Sequence, residues 1–526
     1  MFTLFLLSLW LATFTTAYIW PSPKLDALEA VRFDQLDFNR GPITSFIQPC
    51  STFSFDTAGI NSGRSNVADW IRTAYHDMAT HNVQDGTGGL DASIRFAAER
   101  QRPENAGDGF NNTLAALVAA SNRYVSIADI LALAVVMVVE NCGGTEMAFR
   151  GGRVDATEPN APGVPEPQQD LDSHIASFAR QGVTQEEMIG LVACGHTFGG
   201  VQHDPFPDIV NEMNLSDNTE SVAHFDSTSF RFDNNVAAEY ITSSTLNPLV
   251  VGFNDTTNSD KRIFGSDGNV TMQSFSDSPS LFASTCADLF ARMIDTVPRG
   301  VELTEVLSPL PVKPVFLELT LANDTLQLSG QVRFWNRSEA EVGVVRMLLE
   351  DHLGATSNVT LEFAGMGAAM DGQVKSAWYE FDTSLDPAAG VQLVRFVVNG
   401  AVEDQGGVGF AVQDAFLFSE TSCVHDVDEQ SGEATGRLDV AVRHDTANLS
   451  RVYVETNGLD EIRGPTIVET DIPRPAQPLV VGSVYELWSL EVNSTVVGGF
   501  TIGAEIGGET YSTTSERFVP DWPFCK

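Results

Sequence analysis

Trp70-Ile71-Arg72-Thr73-Ala74-Tyr75-His76-Asp77 is the stretch whose spacing decides how this chain is built. Arg72 and His76 stand four residues apart, so on a helix they share one face. That places a fixed cation and a proton acceptor over the same small volume. Apolar positions around them repeat at helical spacing, which predicts a helix over 67–79. A second histidine, His196, lies 120 residues further on, in L-V-A-C-G-H-T-F-G-G (Leu191–Gly200). It follows a helix predicted over 184–194, where Thr184 and Glu187 have the spacing of a capping box.

The other helical patterns cover 113–123, 126–141, 171–181 and 280–296. A proline-rich stretch, S-P-L-P-V-K-P, then separates two textures. Beyond it apolar residues alternate, as in V-F-L-E-L-T-L and L-Q-L-S-G-Q-V-R-F, the pattern of half-buried strands. L-V-R-F-V-V-N-G followed by G-G-V-G-F-A-V from Gly406 is echoed by L-W-S-L-E-V-N-S followed by G-G-F-T-I from Gly498. The expected fold is multidomain, a mainly α domain followed by all-β sandwich-like domains. The expected divisions are a leader over 1–17, the helical domain over 18–307, a linker over 308–314, and β domains over 315–423 and 424–526.

The 526 residues include 30 basic and 70 acidic ones, a net charge of −40, which argues against nucleic-acid or anionic-membrane partners. Residues 2–16 are mostly apolar and uncharged and end at T-T-A, as a secretory leader cleaved after Ala17 would. Neither that run nor Ile130–Val139 reaches the ~20 residues needed to span a bilayer, and D-W-P-F-C-K is no lipid-anchor tail. Nine N-x-S/T sequons and an even number of cysteines, six, fit secretion.

The two histidine motifs together resemble the haem peroxidase superfamily, closest to the secreted fungal (class II) enzymes, from about Trp70 to Asp295. The resemblance implies haem b held between the histidines, hydrogen peroxide as one substrate and a small reducing donor as the other. His76 would be the general acid/base and Arg72 the group that stabilises developing negative charge. Asn105, in E-R-Q-R-P-E-N with Glu99 six residues before it, would hold the ring of His76. His196 would be the axial iron ligand, with Asp267 of I-F-G-S-D-G as the carboxylate behind it. Tyr75 stands where the family usually has Phe or Trp, offering a hydrogen bond or an oxidisable ring. Phe225 takes a place where some relatives carry a radical-bearing tryptophan. Ser126–Ala134 and Gly151–Asp155 match landmarks that pack around the haem and the core.

The same resemblance implies two calcium ions, one on each haem face. Asp77, Gly89, Asp91 and Ser93 would form the distal site. Thr197, Asp226, Thr228, Arg231 and Asp233 would form the proximal one. Calcium wants six to eight oxygens, which these residue types supply. Of the three acids that manganese oxidation needs, the matching positions are Ser65, Asp69 and Gln202, so one acid remains. Leu191 replaces the surface tryptophan of long-range electron transfer. What remains is a generic peroxidase acting on small, phenolic donors at the haem edge. Cys50 and Cys142 lie in regions that pair in the fungal enzymes, and Cys423 and Cys525 bracket the last β segment. Cys194 and Cys286 would form either a disulfide or two buried thiols. Trp335, Trp378 and Trp488 are either core or a sugar-stacking surface. The competing reading is a glycan- or cell-wall-binding protein with a catalytically degenerate haem domain.

Overall fold

A computed structural model describes residues 17–56, 61–428, 434–482, 484–493, 499–515 and 522–525. The expected leader therefore lies outside the described residues except for Ala17, as does Gly498 of the repeat. The chain is multidomain, a helical domain followed by a β-rich region.

The helical domain is built around α1 (Ile127–Asn141), in which all residues are buried. Its sequence is apolar on every face, and such a helix is stable only when other elements surround it. Ser126 caps its start by accepting from the Asp129 amide. The landmark Gly151–Asp155 clasps the same end: Arg153 pairs with Asp129 at 3.0 Å, and Asp155 accepts from the amides of Ile127 and Ala128. Packed on this centre is the helix of the opening motif, Asn66–Met78. The helix that leads to His196, Gln185–Gly195, begins in the expected capping box, with Thr184 accepting from the Glu187 amide and Glu187 from the Thr184 amide. Cys194 and Cys286 are joined, tying that helix to Pro279–Ile294. Cys50 is bonded to Cys142 and Cys423 to Cys525.

The β region departs from two independent sandwiches. One sheet runs through both halves, in the order 36–37, 362–369, 374–385, 325–335, 312–322, 416–419, 434–443, 485–493, 479–481. A sheet around Val345–Glu350 and Leu393–Val398 covers its first part, and one around Leu449–Leu459 and Phe500–Ile506 covers its second. The strand Phe416–Ser419 serves both cores, because successive side chains point to opposite faces. Leu417 joins the first core, while Phe416 and Phe418 join the second. The expected cut at Cys423 therefore falls within a continuous sheet. The repeat is not structural either: Leu393–Val398 pairs with Phe410–Ala411, whereas Tyr485–Asn493 pairs with Ala434–Arg443 and Leu479–Val481.

The proline-rich stretch is not a linker. Leu310 is buried, and strand Val312–Ala322 begins inside the stretch. Lys313 and Arg333 both bind Glu29, and Arg333 also binds Asp34 at 2.6 Å, all four buried between helical domain and sheet. A second seam joins Arg123 and Tyr124 to Thr501 at 2.8 and 2.7 Å. Trp378 and Trp488 are buried, and Trp335 packs edge-on against Phe33 at 5.1 Å. These three tryptophans are core, which removes the sugar-stacking surface. Among the described residues no helix is long and apolar enough to cross a membrane.

Candidate active site

His76 and His196 line the same cavity, of about 700 Å³, together with Arg72, Tyr75, Phe225 and Asp260. The His76 Nδ1 lies 2.7 Å from Asn105 Oδ1, and Asn105 Nδ2 donates to the Glu99 carbonyl at 2.9 Å. The amide oxygen can only accept, so Nδ1 carries the proton and Nε2 is left with a lone pair. Glu99 thus acts through its backbone, fixing which way the Asn105 amide points. Burial and then the charge of Arg72 push His76 down to about 3, so the ring is neutral at ordinary pH. Arg72 is itself pushed down to about 10 by burial and remains a cation. It is held by a 2.9 Å hydrogen bond to the Ala106 carbonyl and by the faces of Phe110 and Phe206. Tyr75 stacks on Phe178 and meets His76 edge-on. Burial pushes its hydroxyl up, so it stays protonated.

On the other wall, His196 closes its helix, and its ring lies flat on Phe225 with centroids 4.0 Å apart. Its Nδ1 is 2.8 Å from the carboxylate of Asp260, not Asp267. Asp260 is buried and also takes a 2.8 Å hydrogen bond from Asn247 Nδ2. Asp267 instead receives the amides of Val270 and Thr271 and the Thr271 hydroxyl, stabilising the start of the helix that follows. Both aspartates follow a serine, at 259–260 and 266–267. The dipeptide alone could not separate them; only the nearer one is carried under His196 by Ser259–Phe264, which packs on the His196 helix. With Nδ1 turned to a carboxylate, Nε2 is left for the cavity, and His196 is the residue that would hold a haem iron there. The residues present therefore fit haem.

The two expected calcium sets differ. In the proximal set, Thr197 Oγ1 donates to the Asp233 carbonyl at 2.8 Å and lies 3.5 Å from the Arg231 carbonyl. Thr228 Oγ1 donates to Asp233 Oδ1 at 3.0 Å. Asp226 Oδ2 is buried with no hydrogen-bond partner among the described residues. Burial above all pushes Asp226 up to about 7, and the neighbouring charge of Asp233 adds to it. An unpartnered buried carboxylate oxygen among hydroxyls and carbonyls fits a hard cation. The distal set does not fit. Asp77, Asp91 and Ser93 do converge, but the Asn160 amide lies among them. Gly89 is a glycine for a steric reason: its φ is +126°, and a Cβ there would meet the Thr296 carbonyl oxygen at 2.7 Å. Among the described residues no three His, Cys, Asp or Glu side chains form a metal cluster.

Among the residues that line the cavity is one that no motif announced. Arg64 binds Asp69 at 2.9 Å, Asp108 at 2.8 Å and Glu220 at 3.3 Å, over the ring of Phe53. Gln202 also donates to Glu220. Asp69 is thus already paired, and Leu191 is buried.

Residues 54–277 match the family model described as "Peroxidase". This stretch is a peroxidase-family domain. A WSC domain-containing protein of Arthroderma benhamiae is 34% identical over 396 residues, covering 72% of this chain and 53% of its own length. That span exceeds the helical region, so the likeness continues into the β region. L-ascorbate peroxidase 5, peroxisomal, of Arabidopsis thaliana is 33% identical over 27% of this chain and 51% of its own. L-ascorbate peroxidase 3 of the same plant is 32% identical over 24% of this chain and 45% of its own. The chain spans about half the length of the curated relatives it matches.

Proposed function

We propose that this chain is a secreted haem peroxidase that reduces hydrogen peroxide while oxidising small phenolic donors at the haem edge. The observation that carries the reading is His76 with Arg72 facing His196 across one cavity, each histidine held in a single tautomer by its own partner. Haem, when bound, supplies the iron at which peroxide is reduced. The protein's part is acid–base and electrostatic work. His76 Nε2, left with its lone pair, would accept a proton from hydrogen peroxide in the cavity and return it to the departing oxygen, a contribution of roughly 10²–10⁴-fold. Arg72 stabilises the negative charge that grows on the leaving oxygen, with no reorganisation because its position is fixed. Asp260 orients His196 and strengthens it as a base.

The donor reading rests on the charge that lines the cavity. Asp69, Glu104, Glu166 and Asp208 line it, and of its two arginines Arg64 is already shared among three carboxylates while Arg72 is held against the Ala106 carbonyl and the faces of Phe110 and Phe206. An anionic donor such as ascorbate, the donor in the names of two relatives, meets net repulsion there. Neutral phenols do not. Secretion is supported by sequon placement: eight of the nine asparagines are exposed, and Asn254 is partly buried. We place one calcium at the proximal set, on Asp226, Asp233, Thr197, Thr228 and the Arg231 carbonyl. The reading is tested by haem titration of the full chain. A 1:1 complex with a Soret band, lost in His196→Ala, is expected; equal haem binding by the variant would refute it.

A further inference from the structure

The oxygen cage behind His76 has a side chain at its centre. Asn160 Nδ2 lies 2.9 and 3.0 Å from the two Asp91 oxygens, 2.9 Å from Ser93 Oγ and 3.2 Å from Thr80 Oγ1. The Asp91 carboxylate only accepts, so the atom facing it must be the amide nitrogen. These are N–H···O lengths, whereas calcium sits 2.3–2.6 Å from its oxygens. A cation can enter only if the amide nitrogen leaves this place, by expulsion of the side chain or by a flip that turns its oxygen inward. Asp77 needs no metal either: Oδ2 accepts from the amides of Asp91 and Ala92 at 2.9 and 2.7 Å, and Oδ1 from the Ile94 amide at 2.8 Å and Ser93 Oγ at 3.3 Å.

We propose that the Asn160 amide permanently takes the place of the distal calcium, so that this chain positions His76 from that side without a metal. Two routes run from Asn160 to the histidine. One passes through Asp91 and Ser93 to Asp77, the next residue in the chain. The other starts at the Asn160 backbone N–H, which donates to the Glu99 carboxylate; the Glu99 carbonyl holds Asn105, and Asn105 holds His76. Pro159 before it fixes the approach of the loop. Asn160 is a positioning residue in this account. Its proposed role rests on the peroxidase reading only for what His76 does; the metal count does not depend on it.

The test is calcium stoichiometry of the full-length protein, stripped with chelator and re-equilibrated with calcium, for wild type and Asn160→Ala. The variant is expected to bind one calcium more than wild type, two against one. Without calcium it should react with peroxide at least ~10-fold more slowly, the usual scale for a lost supporting partner, and calcium should restore the rate. None in wild type and one in the variant would remove the proximal ion from the proposed function but uphold this proposal. Two in wild type, or equal counts, would overturn it. If Asn160→Ala does not fold, Asn160→Asp serves, since it is isosteric but puts a carboxylate where the donor was. Calcium should raise its melting temperature more than that of wild type, and an equal rise would overturn the proposal.

Discussion

Replacing Asp260 by Asn, and separately Asp267 by Asn, tests which carboxylate supports His196. At Asp260 the change removes the charge from a buried group that receives two donors, His196 Nδ1 and Asn247 Nδ2, each at 2.8 Å. A hydrogen bond to a charged partner is worth roughly 1.5–3 kcal/mol and a neutral one about 1, so the direct loss is about 1–2 kcal/mol. Both donors meet the same oxygen, Oδ2, so an amide turned with its oxygen there still accepts from both, and what His196 Nδ1 loses is the negative charge behind it. Loss of such supporting partners typically lowers metal affinity or activity 10–100-fold, which is about 1.4–2.7 kcal/mol and agrees with the first figure. Asp267 accepts with both oxygens at a helix start, so its change to Asn should cost about 0.5–2 kcal/mol of stability and leave haem affinity unchanged. The assay is haem affinity with peroxide turnover, alongside thermal unfolding. An Asp260→Asn protein with wild-type haem affinity and turnover, or a larger loss of haem affinity at Asp267, would refute the reasoning.

Because His76 is held near 3 rather than its ordinary 6.5, the rate constant for reaction with peroxide should stay flat from pH 7 to about 5 and fall as pH approaches 3. A fall centred near 6.5 would mean the ring is not held neutral by burial. The same shift makes stability decline below pH 6.5, where the unfolded chain binds a proton the folded one refuses. Manganese(II) should be a poor substrate and ascorbate slower than a simple phenol, since Arg64 already occupies Asp69, Asp108 and Glu220; saturation with micromolar manganese would contradict this. Arg333→Met should lower thermal stability by about 3–5 kcal/mol, because it leaves Asp34 buried without its cation; an unchanged melting temperature would show that the seam between helical domain and sheet is not held by this pair.

What the chain reveals in one dimension follows from the range of the interactions. The helix carrying Arg72 and His76, the capping box at Thr184 and Glu187, and the mainly apolar Ile127–Asn141 depend on neighbours within a few turns, and all three form as read. The pairing of Asn105 with His76 was legible through the resemblance. Choices that depend on distant chain were not. Two Ser–Asp pairs lie seven residues apart, and only packing distinguishes Asp260 from Asp267. Phe416-Leu417-Phe418 reads as any short apolar run, yet serves a different core on each face. The proline-rich stretch reads as a linker because Pro314 breaks a strand pattern locally, while the pairing of 312–322 with 325–335 is set by a whole sheet. Asn160 sits in irregular chain with no motif, and its role appears only when residues near 80, 91 and 160 meet.

The central claim is that His76 moves the proton that activates peroxide while His196 holds the haem, and His76→Leu tests it most directly. Stopped-flow mixing of the haem-loaded full-length variant with hydrogen peroxide, followed at the Soret band, should show haem retained and a bimolecular rate constant at least ~10²-fold below wild type. A variant with intact haem and an unchanged rate constant would contradict the account, because some other group would then be carrying the proton.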